Sequence, residues 1–284
     1  MPTKTLDQIL NKDPIRLLAW SQSGGGKTTL AALMAAYEDF RPIYFMDFDL
    51  RIASLQAIVP RELWQFIHSD PYRDNKIQGE AFLMAQAAID QLEAKGYKTV
   101  VVDSFSFGMQ AIMNRVLAID GKPATSIPQL QQYNAQKALA VDFVSRLCAK
   151  SFNLVVTCHE DTDKDEVTGR LFKSLDLTGK LAGKMPGYFN EFWHCEVTQE
   201  PGKMPSYVVR TRGDLIYAAR TAYKLEAIEP QGKIWGKIVE QRRTLALGSH
   251  GDNLGAPGTS TTPKPASQVS PGAGQHQDMG VLPR

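Results

Sequence analysis

A glycine-rich segment at residues 21–29 constrains this chain more than any other feature. It reads Ser-Gln-Ser-Gly-Gly-Gly-Lys-Thr-Thr, after an apolar run at residues 15–20 that predicts a strand and before residues 30–36, which predict a helix. Consecutive glycines let backbone N–H groups face inward, the helix N-terminus adds partial positive charge, and Lys27 adds a cation. The segment therefore predicts a phosphate-binding loop, and its flanks disfavour a simple glycine-rich turn.

The same loop predicts the groups that would hold a nucleotide and its metal ion. We expect Lys27 to reach the β- and γ-phosphates of ATP and the hydroxyl of Thr28 to bind Mg²⁺. Ser21 stands where the strict G-x-x-x-x-G-K-[ST] pattern has glycine, so this is a variant P-loop in which the entry residue tolerates positive φ poorly. The predicted nucleotide-binding residues are Ser23, Gly24, Gly25, Gly26, Lys27, Thr28 and Thr29.

Composition limits the class of protein. With 284 residues, of which 43% are hydrophobic and 22% charged, the chain is able to bury one sizeable core. A net charge of +2 predicts that any nucleic-acid binding depends on local patches. Three cysteines without C-x-x-C spacing, no signal peptide and no membrane-spanning run predict a soluble cytoplasmic protein without a membrane partner.

Three predicted strands end in polar side chains. Residues 42–49 end in Asp47 and Asp49, which share a strand face; Asp49 either orients the attacking water or caps the following turn. Residues 98–104 form a β-branched run closed by Asp103, the expected Walker B carboxylate for Mg²⁺. Residues 153–159 end in His159, either a γ-phosphate sensor or a structural histidine.

The remaining pattern alternates helices with strands and then changes. The helix after the P-loop is predicted to run to about Asp39, and residues 160–184 are predicted to form a long polar loop. Two late strands with a turn between them predict a β-hairpin at residues 189–212. Residues 248–284 are rich in Gly, Pro, Ser and Thr and predict a disordered tail, which leaves one folded domain over residues 1–247. Strands separated by helices predict an α/β layered sheet with nucleotide at the strand C-termini.

The order of these motifs resembles phage-encoded AAA-family nucleotide-binding proteins with a RecA/RadA-like core, some of which are single-strand-annealing recombination ATPases. The resemblance spans about residues 14–225 and rests on residues 24–29, 45–49, 101–104, 157–160 and 177–180 and on Arg220. It implies a P-loop NTPase fold, with a RecA-like three-layer core, a mainly parallel sheet and a C-terminal β-hairpin extension. It also implies ATP hydrolysis, possible stimulation by DNA, and a role in DNA recombination or replication in the host cytoplasm.

The resemblance implies roles for single residues as well. Asp49 matches the residue that activates water, although glutamate is usual there, and His159 matches the γ-phosphate sensor. The loops after Asp103 and His159 match loops that bind single-stranded DNA. Because the sequence offers few basic residues near the cradle besides Lys27, a further cation is expected from a neighbour, and Arg220 matches the family position. The implied assembly is a head-to-tail ring or filament; Arg212 and Lys224 are lesser candidates for that cation.

Three other classes stay open at this point. Asp47-Phe48-Asp49 also resembles a motif of partitioning-type ATPases, but their signature lysine is replaced here by Gln22. A small-molecule kinase is expected to carry an arginine-rich lid where this chain has an acidic stretch beginning at Glu160. A nucleotide-gated binding module without turnover is the third.

Overall fold

Nine strands carry the architecture of the part of the chain that the structure describes. The computed structural model describes residues 13–164, 169, 171–199 and 201–248. The strands are Arg16–Ser21 (β1), Ile43–Asp47 (β2), Ile67–Pro71 (β3), Thr99–Asp103 (β4), Asn153–Lys164 (β5), Leu171–Leu175 (β6), Glu191–Thr198 (β7), Ser206–Arg210 (β8) and Ile228–Pro230 (β9). The α-helices are Lys27–Ala32 (α1), Glu80–Ala94 (α2), Phe105–Ile119 (α3), Leu130–Cys148 (α4), Leu181–Lys184 (α5) and Gln231–Gly248 (α6).

The strand order places the predicted motif ends along one edge of the sheet. The order is β3-β2-β4-β5-β1-β7-β8-β9, with β6 paired to β5 off this path. The first six strands in this order are parallel to their neighbours, whereas β8 and β9 are antiparallel. Ser21 lies opposite His159, and Asp47 lies opposite Asp103, in the registers of their strand pairs. The C-terminal ends of β1, β2 and β4 therefore lie along one edge of the sheet together with His159, which does not end its strand as predicted but lies within β5.

Alternating side chains of the sheet bury two separate apolar layers. On one face Leu18 and Trp20 join a core with residues of α2, α3 and α4. On the other face Leu17 and Ala19 join a core with residues of α1 and α6. Near-continuous apolar strands are expected where helices cover both faces of a parallel sheet. The predicted α/β fold class, a three-layer core around a mainly parallel sheet, is confirmed, as is the hairpin of β7 and β8.

The prediction that residues 160–184 form a long loop is wrong. β5 continues through Lys164 and pairs antiparallel with β6, and the short helix α5 follows. The outer half of β5 and the start of β6 are exposed, so both lack the apolar alternation that would reveal a strand. Residues 165–168 and 170, between them, lie outside the described residues.

The helix after the P-loop is shorter than the prediction, which extended it to Asp39. α1 ends at Ala32, a 3₁₀ turn follows at Leu33–Ala36, and Tyr37 is extended. The predicted tail begins at the last residue of α6, Gly248, and its remainder lies outside the described residues, as does the segment at residues 1–12. The domain boundary therefore stays a prediction. Within the described ranges no helix is long and apolar enough to cross a membrane.

Trp235 connects helix α6 to the P-loop helix α1 by packing and by a hydrogen bond. Trp235 is 1% exposed, and its ring packs 5.5 Å from that of Phe40 and 5.4 Å from that of Trp193, centroid to centroid. Its indole N–H donates to the carbonyl of Leu30 in α1 over 2.7 Å. Both the packing and the hydrogen bond of this side chain therefore hold α6 on the layer that carries the P-loop.

Replacement of Trp235 by alanine is expected to lower the free energy of unfolding by about 3–5 kcal/mol, the usual cost of deleting a buried aromatic ring. Urea denaturation followed by circular dichroism measures this. Trp64, which is 38% exposed, gives the matched control Trp64→Ala. Equal losses in the two variants would contradict the role assigned to Trp235.

Candidate nucleotide-binding site

The loop between β1 and α1 has the backbone geometry of a phosphate cradle. Gly24 and Gly26 take positive φ, at 83° and 89°, a region that glycine enters at little cost. The amide of Gly25 donates to Gln22 O over 3.2 Å, which closes the turn. Among the described residues Leu50 is the only non-glycine residue with positive φ, so the strain expected at Ser21 does not arise. Ser21 is simply the last residue of β1.

Close packing explains why glycine occupies position 25. A Cβ atom built there would collide with the Ser21 side chain and would lie 3.2 Å from Cys195 O. Strands β1 and β7 therefore leave no room for a side chain at position 25. Gly24 is required by its positive φ alone, and Gly26 both by its positive φ and by the side chains of Gln231 and Tyr207, which a Cβ atom there would approach within 2.7–2.8 Å.

Lys27 is a buried cation surrounded by neutral oxygens. It is 6% exposed, and its ammonium donates to Ser21 O, Ser21 Oγ and Gln22 O over 3.0, 3.1 and 3.0 Å. Burial lowers the pKa of Lys27. No ion pair to this ammonium is formed among the residues that the structure describes. A buried charge is costly without an opposite charge, so this environment fits an anionic ligand such as a triphosphate.

Oxygen groups suited to Mg²⁺ lie beside the cradle. Thr28 Oγ1 donates to Asp103 Oδ2 over 2.7 Å, and Thr157 Oγ1 donates to Asp103 Oδ1 over 2.5 Å. Asp103 is 3% exposed, and burial raises the pKa of its carboxyl. Hydroxyl and carboxylate oxygens are ligands that Mg²⁺ prefers, so Thr28 and Asp103 fit this ion, with Thr157 orienting the carboxylate.

The two aspartates at the end of β2 have different surroundings. The buried Asp47 carboxylate accepts from the backbone amides of Arg51 and Ile52 over 3.3 and 3.2 Å, and burial raises its pKa. It therefore caps the turn after β2. Asp49 instead lines the cavity of the cradle, beyond the end of the strand.

Asp49 forms a tight group with His159. Its Oδ1 accepts from the Ser104 amide and hydroxyl over 2.8 and 2.6 Å, and its Oδ2 lies 3.3 Å from His159 Nε2. Burial raises the pKa of Asp49, but hydrogen bonds from His159 and Ser104 outweigh it, so the pKa lies below its usual value. Asp49 is therefore an ionised acceptor that orients water better than it takes up a proton.

One cavity of about 290 Å³ brings the predicted residues together. It is lined by Ser23, Gly24, Gly26, Lys27, Thr28, Thr29, Asp49, Arg51, Ser54, Ile58, Asp103, His159 and Tyr207. Four of these, Arg51, Ser54, Ile58 and Tyr207, were not predicted from the sequence. Arg51 follows Asp49 by two residues, which was the available signal, whereas Tyr207 arrives from β8 by tertiary folding alone.

Arg220 does not line this cavity. Its guanidinium donates to the carbonyls of Pro186 and Phe189, and its backbone pairs with Phe192. It borders another cavity, of about 620 Å³, beside Trp20. The predicted contact of Arg220 with a neighbouring subunit stays a prediction, and it requires the side chain to leave these carbonyls.

Glu160, next to His159, connects the cradle to the late strands. Its carboxylate accepts from Gln22 Nε2 over 3.2 Å and lies 2.8 Å from Lys173 Nζ and 2.9 Å from His194 Nε2. Burial raises the pKa of Glu160, but these hydrogen bonds outweigh it and the pKa is lowered. One carboxylate thus joins the P-loop, β6 and β7.

Comparison with known proteins gives the family. A protein-family model described as an AAA domain matches residues 13–223. The chain belongs to this AAA domain family. Together with the cradle, this makes it an AAA-type P-loop ATPase that binds nucleoside triphosphate. No curated protein matches the chain. A solved structure, the RadB recombinase, is 14% identical, with 79% of this chain and 90% of that chain covered and a TM-score of 0.38.

Replacement of Gly25 by alanine in this AAA domain is expected to cost about 1–3 kcal/mol of stability through overpacking. Removing the Ser21 side chain relieves most of the collision, so Ser21→Gly/Gly25→Ala should be more stable than Gly25→Ala alone. A double-mutant cycle of unfolding free energies measures the coupling. Gly183→Ala, at a glycine with open space around it, is the control. Strict additivity would contradict the steric account.

Asp49→Asn and His159→Ala are each expected to keep ATP binding and to lower turnover by about 10²-fold or more, since both groups face the cavity beyond the loop that holds the phosphates. Nucleotide affinity and single-turnover hydrolysis check this separately. Asp142→Asn, at an exposed carboxylate of α4, is the matched control. If affinity collapses while turnover per bound ATP is unchanged, the two residues are structural.

Proposed function

We propose that this AAA-type ATPase is a phage-type recombination or replication protein that hydrolyses ATP and acts on single-stranded DNA. The observation that carries the proposal is the Asp49–His159 pair beside Lys27 and Asp103 in one cavity. A binding loop, a metal-binding pair and a group able to orient water are then present within one chain.

Each of these residues has a distinct task in hydrolysis. The loop amides and Lys27 bind the phosphates, and Thr28 and Asp103 hold the metal ion. Mg²⁺, when bound, neutralises charge that develops on the β- and γ-phosphate oxygens. Asp49 accepts a hydrogen bond from water, whose oxygen attacks the γ-phosphorus while the bond to the β-phosphate oxygen breaks, giving ADP and phosphate. His159, adjacent to Asp49, contacts the γ-phosphate.

Support for DNA as the partner comes from the region joined to the cradle by Glu160. Residues 160–184 carry six acidic and five basic side chains, and Lys173 on β6 is ion-paired to Glu160, so the segment has no net positive charge. Lys180 and Lys184 are exposed and are the candidates to contact nucleic-acid phosphates. The resemblance to single-strand-annealing ATPases favours single-stranded DNA over duplex.

The proposed assembly is a head-to-tail ring or filament with nucleotide near the subunit boundary, as the same resemblance implies. A heterologous contact of this kind closes into a ring or continues into a filament according to its rotation. In that assembly Arg220 is a candidate to reach the neighbouring cradle.

The lowered pKa of Asp49 also favours a second candidate function, a nucleotide-binding module with little or no turnover. A carboxylate of low basicity is a weak general base, so hydrolysis that depends on Asp49 is expected to be slow. A nucleotide-gated binding module that holds ATP without appreciable hydrolysis has the same binding residues.

Steady-state phosphate release with and without single-stranded DNA tests the proposal. We expect Mg²⁺-dependent turnover that rises with single-stranded DNA more than with duplex, and we expect Lys27→Ala to abolish both triphosphate binding and turnover. Lys95→Ala, at an exposed lysine beyond α2, is the charge-matched control.

The possible results separate the candidates. Wild-type turnover in Lys27→Ala would overturn the P-loop assignment. If the protein binds ATP tightly but shows no turnover with or without DNA, the nucleotide-gated binding module is the function that remains. Turnover that does not respond to any DNA would remove the proposed role in recombination.

A further inference from the structure

The nucleotide cavity contains a second cation that the P-loop pattern does not include. Arg51 lines the same cavity as Lys27, and its Nη1 donates to Ser23 Oγ over 3.4 Å. The sequence predicted few cations near the cradle besides Lys27 and did not single out Arg51; the predicted donor from a neighbouring subunit stays a prediction.

The backbone at Arg51 is held in place although its side chain is exposed. The Asp47 carboxylate accepts from the amides of Arg51 and Ile52, and the amides of Phe48 and Asp49 donate to Asp103 O over 2.7 and 3.2 Å. The turn after β2 is thus tied both to its own strand and to β4. A fixed backbone with a long, solvent-facing side chain lets the guanidinium move towards a ligand at low cost.

The position of Arg51 points to one end of a bound triphosphate. Ser23, its partner, adjoins Gln22, whose carbonyl accepts from the Lys27 ammonium over 3.0 Å. A P-loop lysine reaches the β- and γ-phosphates, whereas the loop amides hold the α- and β-phosphates. Asp49, which faces the attacking water in the proposed function, is two residues from Arg51. Arg51 therefore lies at the γ-phosphate end.

We propose that Arg51 is a phosphate-binding residue that acts in cis. On triphosphate binding its guanidinium leaves Ser23 Oγ and contacts the γ-phosphate, where it stabilises charge in the transition state. A planar guanidinium forms paired, charge-assisted hydrogen bonds to phosphate oxygens. This inference rests on the proposed ATPase function and gives the γ-phosphate a cation within its own subunit.

The first test compares nucleotides that differ by the γ-phosphate. Binding of ADP and of a non-hydrolysable ATP analogue, each with Mg²⁺, is measured by calorimetry for the wild type, Arg51→Ala and Arg51→Lys. We expect Arg51→Ala to bind the analogue about 10- to 100-fold more weakly, the loss of a charged hydrogen bond, and to bind ADP unchanged. Arg51→Lys should recover part of the affinity. Arg61→Ala, at an exposed arginine ten residues along the chain, controls for net charge.

The results of this test are decisive in each direction. If Arg51→Ala binds the analogue as tightly as the wild type does, Arg51 does not contact the γ-phosphate. The same conclusion follows if the variant loses affinity for ADP and for the analogue equally. A wild type that binds neither nucleotide would overturn the proposed function itself, and with it this inference.

The second test separates action in cis from action across subunits. Arg51→Ala is expected to lower turnover by about 10³-fold, in the range of other phosphate-binding arginines. Mixing it with Lys27→Ala should restore nothing, because no subunit then holds both residues. An increase in turnover on mixing would show that Arg51 serves a neighbour and would overturn the inference. A mixture of Arg220→Ala with Lys27→Ala, analysed in parallel, reports whether Arg220 acts across the boundary.

Discussion

The buried ammonium of Lys27 is the interaction on which the organisation of this protein depends. Three neutral oxygens from Ser21 and Gln22 solvate it, but the described residues give it no ion pair. Lys27 is the first residue of α1 and donates to Ser21, the last residue of β1, so this charge lies where the strand, the loop and the helix meet. A cation kept in such a place stabilises an anion more strongly than an exposed lysine does, because less water competes.

Three aspartates at neighbouring strand ends perform different tasks because their surroundings differ. Asp47 accepts hydrogen bonds from two backbone amides and thereby fixes the turn that carries Arg51. Asp103 is oriented by two threonine hydroxyls towards the metal position. Asp49 is kept ionised by Ser104 and by His159. The residue type is the same, and the hydrogen-bond partners decide what each carboxylate is able to do.

Glu160 gives the nucleotide site a physical connection to the rest of the protein. It lies beside the predicted sensor His159 and contacts side chains of the P-loop, β6 and β7. Burial lowers the pKa of His194, so this imidazole is neutral near pH 7 and donates a hydrogen bond to the Glu160 carboxylate rather than forming an ion pair with it.

The sequence by itself determined the α/β class, the P-loop, the strand that ends at Asp103, and the late hairpin, because each depends on local periodicity or on glycine chemistry at fixed spacing. It also selected Asp49 and His159, which line the cavity although β2 ends before Asp49 and β5 continues past His159. It did not reveal the extension of β5 to Lys164, whose exposed residues lack apolar alternation. For Arg51 the only local signal was its place two residues after Asp49, whereas the tertiary structure alone brought Tyr207 to the cavity and turned Arg220 onto the carbonyls of Pro186 and Phe189. These positions depend on which strands pair and on how side chains from distant segments meet, and no local pattern encodes them.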